Sequence, residues 1–204
     1  EDAIKRQSEN CDATFLSGGL DSSIIASVMA KQPRPLYTYS LDYEGNAENF
    51  KGNMYQVSLD HDFIEAMIAQ CDSTHTKLMI TQQELADELI PALEARDLPG
   101  MGDVDSALLW LCKQVKRDRS VIMSGECSDE VFGGYPWFYR EELAHLNTFP
   151  WLRSTKERKA MLHEQLQSLD LEGYIAKRYE EALHDVTYLD SDSEEDKRAR
   201  IHTI

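Results

Sequence analysis

A short apolar run that stops at a pair of glycines and restarts as a helix constrains this chain more than any other feature. Ala13-Thr14-Phe15-Leu16 has strand character and is broken at Ser17-Gly18-Gly19. After Asp21 the apolar residues Ile24, Ile25, Val28 and Met29 recur at helical spacing, and Pro33 and Pro35 close the helix. The same unit then repeats. Residues 36–41, aromatic and hydroxyl-rich, predict a second strand, 62–71 a helix, and 75–80 a third strand. The stretch 44–59 has no clean period and reads as a loop. Thr81 and Glu84 predict a capping box, with Leu85, Leu89 and Leu93 following on one helical face. Leu98-Pro99-Gly100 interrupts the chain, and a helix from about Asp105 is expected to bury Leu108, Leu111 and Val115. A fourth strand, Val121-Ile122-Met123, runs into a second small turn. Strands that alternate with helices in this way predict an α/β fold, a parallel sheet with helices on both faces. Residues 1–150 read as that domain. Residues 151–204 read as a helical C-terminal extension, with Ile175, Tyr179, Ala182, Leu183 and Val186 as its apolar stripe and the acids of 190–196 as a solvated linker.

Parallel sheets of this kind bind ligands beyond the carboxyl ends of their strands. Two such ends carry small polar turns, 17–23 and 124–130. In the first, Gly18 and Gly19 allow backbone N–H groups to approach a ligand closely, and the helix beyond presents the positive end of its dipole. Ser17, Ser22 and Ser23 add hydroxyl donors suited to phosphate oxygens. Asp21 would repel a phosphate on its own, so its place here is as a ligand for Mg²⁺. The turn lacks the lysine of a Walker A loop and the spacing of a dinucleotide fingerprint. The plainer alternative is a tight turn in which Asp21 or Ser22 caps the helix. In the second turn Glu126, Asp129 and Glu130 place three carboxylates in five residues. If 126–132 is helical they share a face, and their repulsion calls for a metal, hydrogen bonds or a cation. An acidic first turn on a surface helix is the competing account.

Charge and composition exclude several classes. Lys+Arg 21 against Asp+Glu 37 leaves a formal charge of −16 over 204 residues. Such a chain repels nucleic acid and anionic lipid, and an anionic ligand such as ATP requires a cation or a set of N–H donors. No apolar stretch is long enough to span a membrane, and the polar N-terminus is not a signal peptide. Cys11, Cys71, Cys112 and Cys127 are scattered, with no CxxC pair. They are expected to be free, buried thiols of a reducing, cytoplasmic compartment.

The 17–23 string resembles the pyrophosphate loop of the N-type ATP pyrophosphatases, and 124–135 is similar to the second signature of the glutamine-hydrolysing asparagine synthetases. The likeness covers about 1–145 well and the remainder weakly, and it implies the adenine nucleotide alpha-hydrolase-like form of the predicted fold. It also implies a ligase reaction: aspartate attacks the α-phosphorus of ATP, and ammonia then displaces AMP to give asparagine. On that resemblance Leu16, Ser17, Gly18, Gly19, Asp21, Ser22, Leu41, Ser124 and Gly125 bind the nucleotide. Leu16 and Leu41 would contact adenine mostly through backbone groups, and Ser124 and Gly125 would face the ribose and α-phosphate. Asp21 and Asp129 would hold Mg²⁺, Glu126 would serve the ammonia step beside Asp129, and Glu130 would orient its neighbours. Cys127 stands where the family's usual form has glycine, with little effect expected. In 96–105, where the family builds part of its substrate pocket, Asp103 and Asp105 are expected to cap the next helix. Family members join the synthetase to a glutaminase domain that frees ammonia, and a homodimer is compatible with the pattern. Nothing in this chain matches the glutaminase half, so it reads as a synthetase fragment that binds MgATP without forming asparagine. The alternatives are a relative that adenylates another carboxylate, of β-lactam-forming or peptide-cyclising type, and an idle nucleotide-binding module.

Overall fold

The computed structural model describes residues 1–52, 58–144, 146–152, 154–194, 196 and 197. The chain forms two compact units, Glu1–Glu126 and Cys127–Ile204.

The first unit is built on a parallel sheet of β1 (Ala13–Phe15), β2 (Tyr37–Tyr43) and β3 (Thr74–Ile80), in that order. Thr14 lies beside Thr38, and Thr38 beside His75. Successive strand residues point to opposite faces. Ala13 and Tyr39 therefore pack on one side against Leu111 and Val115 of the helix Gly102–Val115. Leu16, just past β1, joins Ile25, Ala26 and Met29 of the helix Leu20–Ala30 and Cys71 of the helix His61–Cys71. The sheet is thus covered on both faces, as its alternating pattern predicts. In chain order the helices of this unit are α1 (Asp2–Gln7), α2 (Leu20–Ala30), α3 (Asn46–Asn49), α4 (His61–Cys71), α5 (Gln82–Asp87), α6 (Leu89–Arg96) and α7 (Gly102–Val115).

Several local expectations are corrected. The predicted fourth strand shrinks to one bridge between Met123 and Thr14. There the Met123 N–H donates to the Ala13 carbonyl at 2.9 Å, and the Phe15 N–H to the Met123 carbonyl at 3.0 Å. The capping box at Thr81 and Glu84 is present. The helix it starts breaks at Glu88 into α5 and α6. Pro91 explains the break, since in a continuous helix its ring would collide with the carbonyl four residues back and leave it without a donor. Leu89 and Leu93 remain exposed. Leu108 is also exposed, at 43%, while Ala107 and Trp110 turn inward with Leu111 and Val115. The expected loop 44–59 contains α3, and its residues 53–57 lie outside the described ones. All four cysteines are free, but only Cys11 and Cys71 are buried; Cys112 and Cys127 are exposed.

The second unit is helical, with α8 (Ser128–Phe132), α9 (Glu141–Ala144), α10 (Thr155–Ala160) and α11 (Leu171–Asp185) separated by single 3-10 turns. Its packing is aromatic. Tyr179, which α11 buries, meets the Phe149 ring edge-on at 5.2 Å, and Phe149 stacks on Trp151 at 5.3 Å. The Asp170 carboxylate caps α11 by accepting the Gly173 N–H at 2.9 Å. Among the described residues no helix is long and apolar enough to cross a membrane.

Candidate functional site

The 17–23 loop leaves the carboxyl end of β1 and enters α2. Gly18 takes φ +81°, the left-handed region, which turns the chain sharply over the start of α4. The N-cap of α2 is Gly19, and no side chain caps the helix. The capping account of Asp21 and Ser22 therefore fails, because both already lie within the first helical turn. That leaves Asp21 half-buried in the first turn of an 11-residue helix whose leading N–H groups have no intrahelical acceptor.

The loop is braced from within. The Ser17 N–H donates to Ser22 Oγ at 3.2 Å, Ser22 Oγ donates to the Gly19 carbonyl at 3.2 Å, and the two hydroxyls of Ser17 and Ser22 lie 3.1 Å apart. The Ser23 hydroxyl turns back to the Gly19 carbonyl at 2.7 Å. Ser17 is exposed and Ser22 is buried.

The second turn reaches the first through Gly125. A Cβ at Gly125 would lie 3.1 Å from Asp21 Cβ and 3.1 Å from the Ser22 nitrogen, so a side chain there would push the two turns apart by a few tenths of an ångström. The Met123 bridge to β1 brings Ser124 and Gly125 to this place. Glu126 is exposed, and its N–H donates to Ser124 Oγ at 3.1 Å.

Beside the loop, beyond the ends of β1 and β2, lies a cavity of about 550 Å³ whose walls include Leu16, Ser17, Leu41, Asp42, His75 and Lys77. Leu16 is 1% exposed, its side chain committed to the core below, so it offers a ligand only backbone. The wall is otherwise mixed, apolar at Phe15, Leu59, Ile64 and Leu111, and its polar part, Asp42, His75 and Lys77, is what the sequence reading missed. Asp42 accepts from Lys77 at 2.7 Å, Asn46 at 2.8 Å and the Tyr43 N–H at 2.8 Å. Partial burial opposes ionisation of Asp42, but these donors outweigh it and hold the carboxyl below its ordinary value. His75 lies between the Thr38 hydroxyl, 2.9 Å from Nδ1, and the Ser40 hydroxyl, 3.0 Å from Nε2. The signal was legible as polar residues at every second position of β2 and β3, Thr38, Ser40 and Asp42 beside His75 and Lys77.

Burial pushes the His75 pKa down, Glu65 opposes this, and Lys77 adds to it. The unfolded chain then protonates His75 first, so this part of the stability is complete above about pH 6.5 and drains as the pH falls towards and through the lower folded value. Urea denaturation at about pH 7.5 and about pH 5.5 should show a loss on acidification that is smaller in His75→Gln. An equal loss in both proteins would refute the assignment.

The expected shared face of Glu126, Asp129 and Glu130 does not form. Helix α8 starts only at Ser128, and Cys127 before it takes φ +68°. Within the second unit, Glu130 accepts the Tyr135 hydroxyl at 2.9 Å, and the Asp129 carbonyl receives the Gly133 and Gly134 N–H groups at 2.9 and 3.0 Å. The Cys127 backbone also corrects the expectation of little effect. A left-handed non-glycine residue costs roughly 1–2 kcal/mol, partly offset by the greater freedom that glycine loses on folding. Cys127→Gly is therefore expected to raise stability by about 1 kcal/mol in urea denaturation, and an unchanged or lower midpoint would count against it.

Asp103 and Asp105 are not caps either. The N-cap of α7 is Met101, without a side-chain bond, and Asp105 pairs instead with Arg96 at 2.6 Å. Among the described residues no group of three His, Cys, Asp or Glu side chains is placed to hold a metal alone. A magnesium ion carried on phosphates needs only one or two carboxylates, which Asp21 at the head of α2 can begin to supply.

The asparagine synthase family model matches residues 1–203. The chain is 44% identical over 208 residues to asparagine synthetase [glutamine-hydrolyzing] 3 of Bacillus subtilis, covering 98% of this chain and 34% of that protein. It is 31% identical over 131 residues to asparagine synthetase [glutamine-hydrolyzing] 1 of the same organism, covering 64% and 19%. Against the human asparagine synthetase [glutamine-hydrolyzing] it is 29% identical over 137 residues, covering 62% and 22%. The chain thus spans about a third or less of the length of these curated relatives. With the family pattern running along almost its whole length, the chain belongs to the asparagine synthase family.

Proposed function

We propose that this chain supplies the ATP-dependent step of asparagine formation. The observation that supports this best is the meeting of the two turns, Gly125 against Asp21 and Ser22, beside a cavity at the strand ends. The cavity receives adenine near the backbone of Leu16 and Leu41. The loop with Ser17, Gly18, Gly19 and Ser22, together with the free N–H groups at the head of α2, receives the β- and γ-phosphates. Ser124 and Gly125 face the ribose and α-phosphate.

An oxygen of the aspartate side-chain carboxylate attacks the α-phosphorus. The bond from that phosphorus to the bridging oxygen breaks, and pyrophosphate leaves into the loop. Ammonia nitrogen then attacks the activated carbonyl carbon, AMP departs with the electron pair, and Glu126 takes a proton from the attacking nitrogen. Asp21 would hold Mg²⁺, and the ion would supply neutralisation of the phosphate charge. The metal role of Asp129 rests on the family resemblance. Ammonia comes from glutamine, as the names of the relatives suggest.

Calorimetry tests the reading. The chain should bind MgATP, and Asp21→Ala should weaken that binding at least about tenfold, the effect of losing one charge-assisted contact. Absence of MgATP binding, or equal binding by Asp21→Ala, would overturn it.

A further inference from the structure

We propose that the outer faces of α6 and α7 form the interface of a two-fold dimer of this chain. The dimer does not depend on the nucleotide reading above.

Helix α7 is apolar on two sides. One side holds Ala107, Trp110, Leu111 and Val115 and is buried, with Leu111 and Val115 against Ala13 and Tyr39 of the sheet. The other side carries Met101 at the N-cap, then Val104 and Leu108, at spacing i, i+3, i+7, and all three are exposed. A helix that is apolar on both sides is stable when both are covered. Helix α6 widens the bare side with Leu89, Ile90 and Leu93. Leu89 lies against the start of α7, 3.4 Å from where a Cβ on Gly102 would stand. The six residues are 40–67% exposed. Charged groups beside them are already paired, Arg96 with Asp105 and Lys113 with Glu88, each at 2.6 Å. Covering the face therefore strands none of these four charges without its partner.

Three observations point to a second copy as the occupant. The first is area. At these exposures the six residues present roughly 600 Å² of apolar surface, the upper end of what a soluble monomer leaves bare. Two copies together would bury about 1,200 Å², the lower bound of a stable specific interface before any polar rim is added. The second is spacing. Met101, Val104 and Leu108 follow the i, i+3, i+7 rhythm of a helix seam. A helix that crosses its own copy about a two-fold axis runs antiparallel to it, so the same stripe meets itself and the contact closes at two chains. The third is charge. Helix α7 has Asp103 and Asp105 in its first turn, Lys113 in its last, and Lys116 at its C-cap. Antiparallel pairing sets the acidic end of each copy beside the basic end of the other. The net charge of −16 repels at long range, but at about 0.15 M salt charges more than about 8 Å apart are screened.

Sedimentation equilibrium of the 204-residue chain at about 0.15 M salt tests this. Over a wide range of concentration the mass should rise reversibly from that of one chain to that of two, and no further. Leu108→Glu should move the midpoint to concentrations at least about tenfold higher, because it places an unpaired charge in an apolar seam. Met101→Lys carries the same expectation. It sits at the exposed N-cap, so it keeps the test open should Leu108→Glu not fold, which circular dichroism checks. Met161→Glu, at an exposed apolar residue of the second unit, should leave the midpoint in place. A chain that stays monomeric at every concentration overturns the proposal and leaves the face to a different polypeptide. Growth beyond two chains, or an equal shift in Met161→Glu, overturns it as unspecific adhesion. A dimer that neither Leu108→Glu nor Met101→Lys weakens overturns it by placing the interface elsewhere.

Discussion

Gly18→Ala is expected to lower stability by about 2–4 kcal/mol, a drop of roughly 4–16 °C in the melting temperature of a domain this size. Two separate costs combine. At φ +81° any L side chain is strained. The added Cβ would also lie 2.9 Å from the Asp60 carbonyl oxygen, 3.1 Å from Phe63 Cβ and 3.2 Å from Ile64 Cγ1. That carbonyl accepts the Ile64 N–H at 3.0 Å, the first bond of α4, so the methyl group presses on backbone and not on a side chain that can swing away. Relief therefore requires either α4 or the loop to move, and MgATP affinity should fall with stability. Gly19→Ala is the matched control. Gly19 has φ −70°, and its added Cβ would meet only Ser17 Oγ, at 3.4 Å. It should change stability by less than about 1 kcal/mol. Equal thermal shifts in the two variants would show that the close approach of the loop to α4 is wrong.

These neighbouring glycines mark the limit of what the chain's sequence discloses. The glycine pair after a strand announces a tight turn, but which glycine is left-handed depends on α4, which lies some forty residues further on. The larger pattern was legible because it rests on local periodicity. β1, β2, β3 and the helices α2, α4 and α7 lie where apolar spacing puts them, and the capping box at Thr81 follows from two residues alone. The failures have non-local or conformational causes. Val121-Ile122-Met123 has strand composition, but of the three it is Met123 that bridges β1, at Thr14, and one bridge is not a ladder. Leu108 follows the helical period, yet Ala107 and Trp110 occupy the inward side of α7. The acidic turn was read as one helical face because its spacing allows it, whereas Cys127 takes a left-handed conformation that no count of residues reveals. The polar wall of Asp42, His75 and Lys77 needed the register of β2 against β3 before its members could be seen as neighbours.

Leu16→Ala is expected to cost about 3 kcal/mol and to leave the MgATP affinity of the folded protein nearly unchanged. Leu16 belongs to both the core and the candidate site. Its side chain is buried with Ile25, Ala26, Met29 and Leu36, so truncation leaves a cavity among helix side chains that backbone geometry prevents from closing. Its backbone faces the other way. The Leu16 N–H donates to the Tyr39 carbonyl at 2.8 Å and fixes the end of β1 against β2 at the rim of the cavity. That bond does not depend on the side chain. Denaturation and calorimetry on the same variant therefore separate two accounts of Leu16. If the side chain contacts the base, affinity falls along with stability. If the backbone makes the contact, a protein weakened by several kcal/mol still binds MgATP as the unaltered chain does at temperatures where both are folded. Leu16→Met, which nearly conserves volume, should cost less than about 1.5 kcal/mol. A loss as large as that of Leu16→Ala would mean that side-chain shape at the β1 end, and not buried volume, sets the floor of the site.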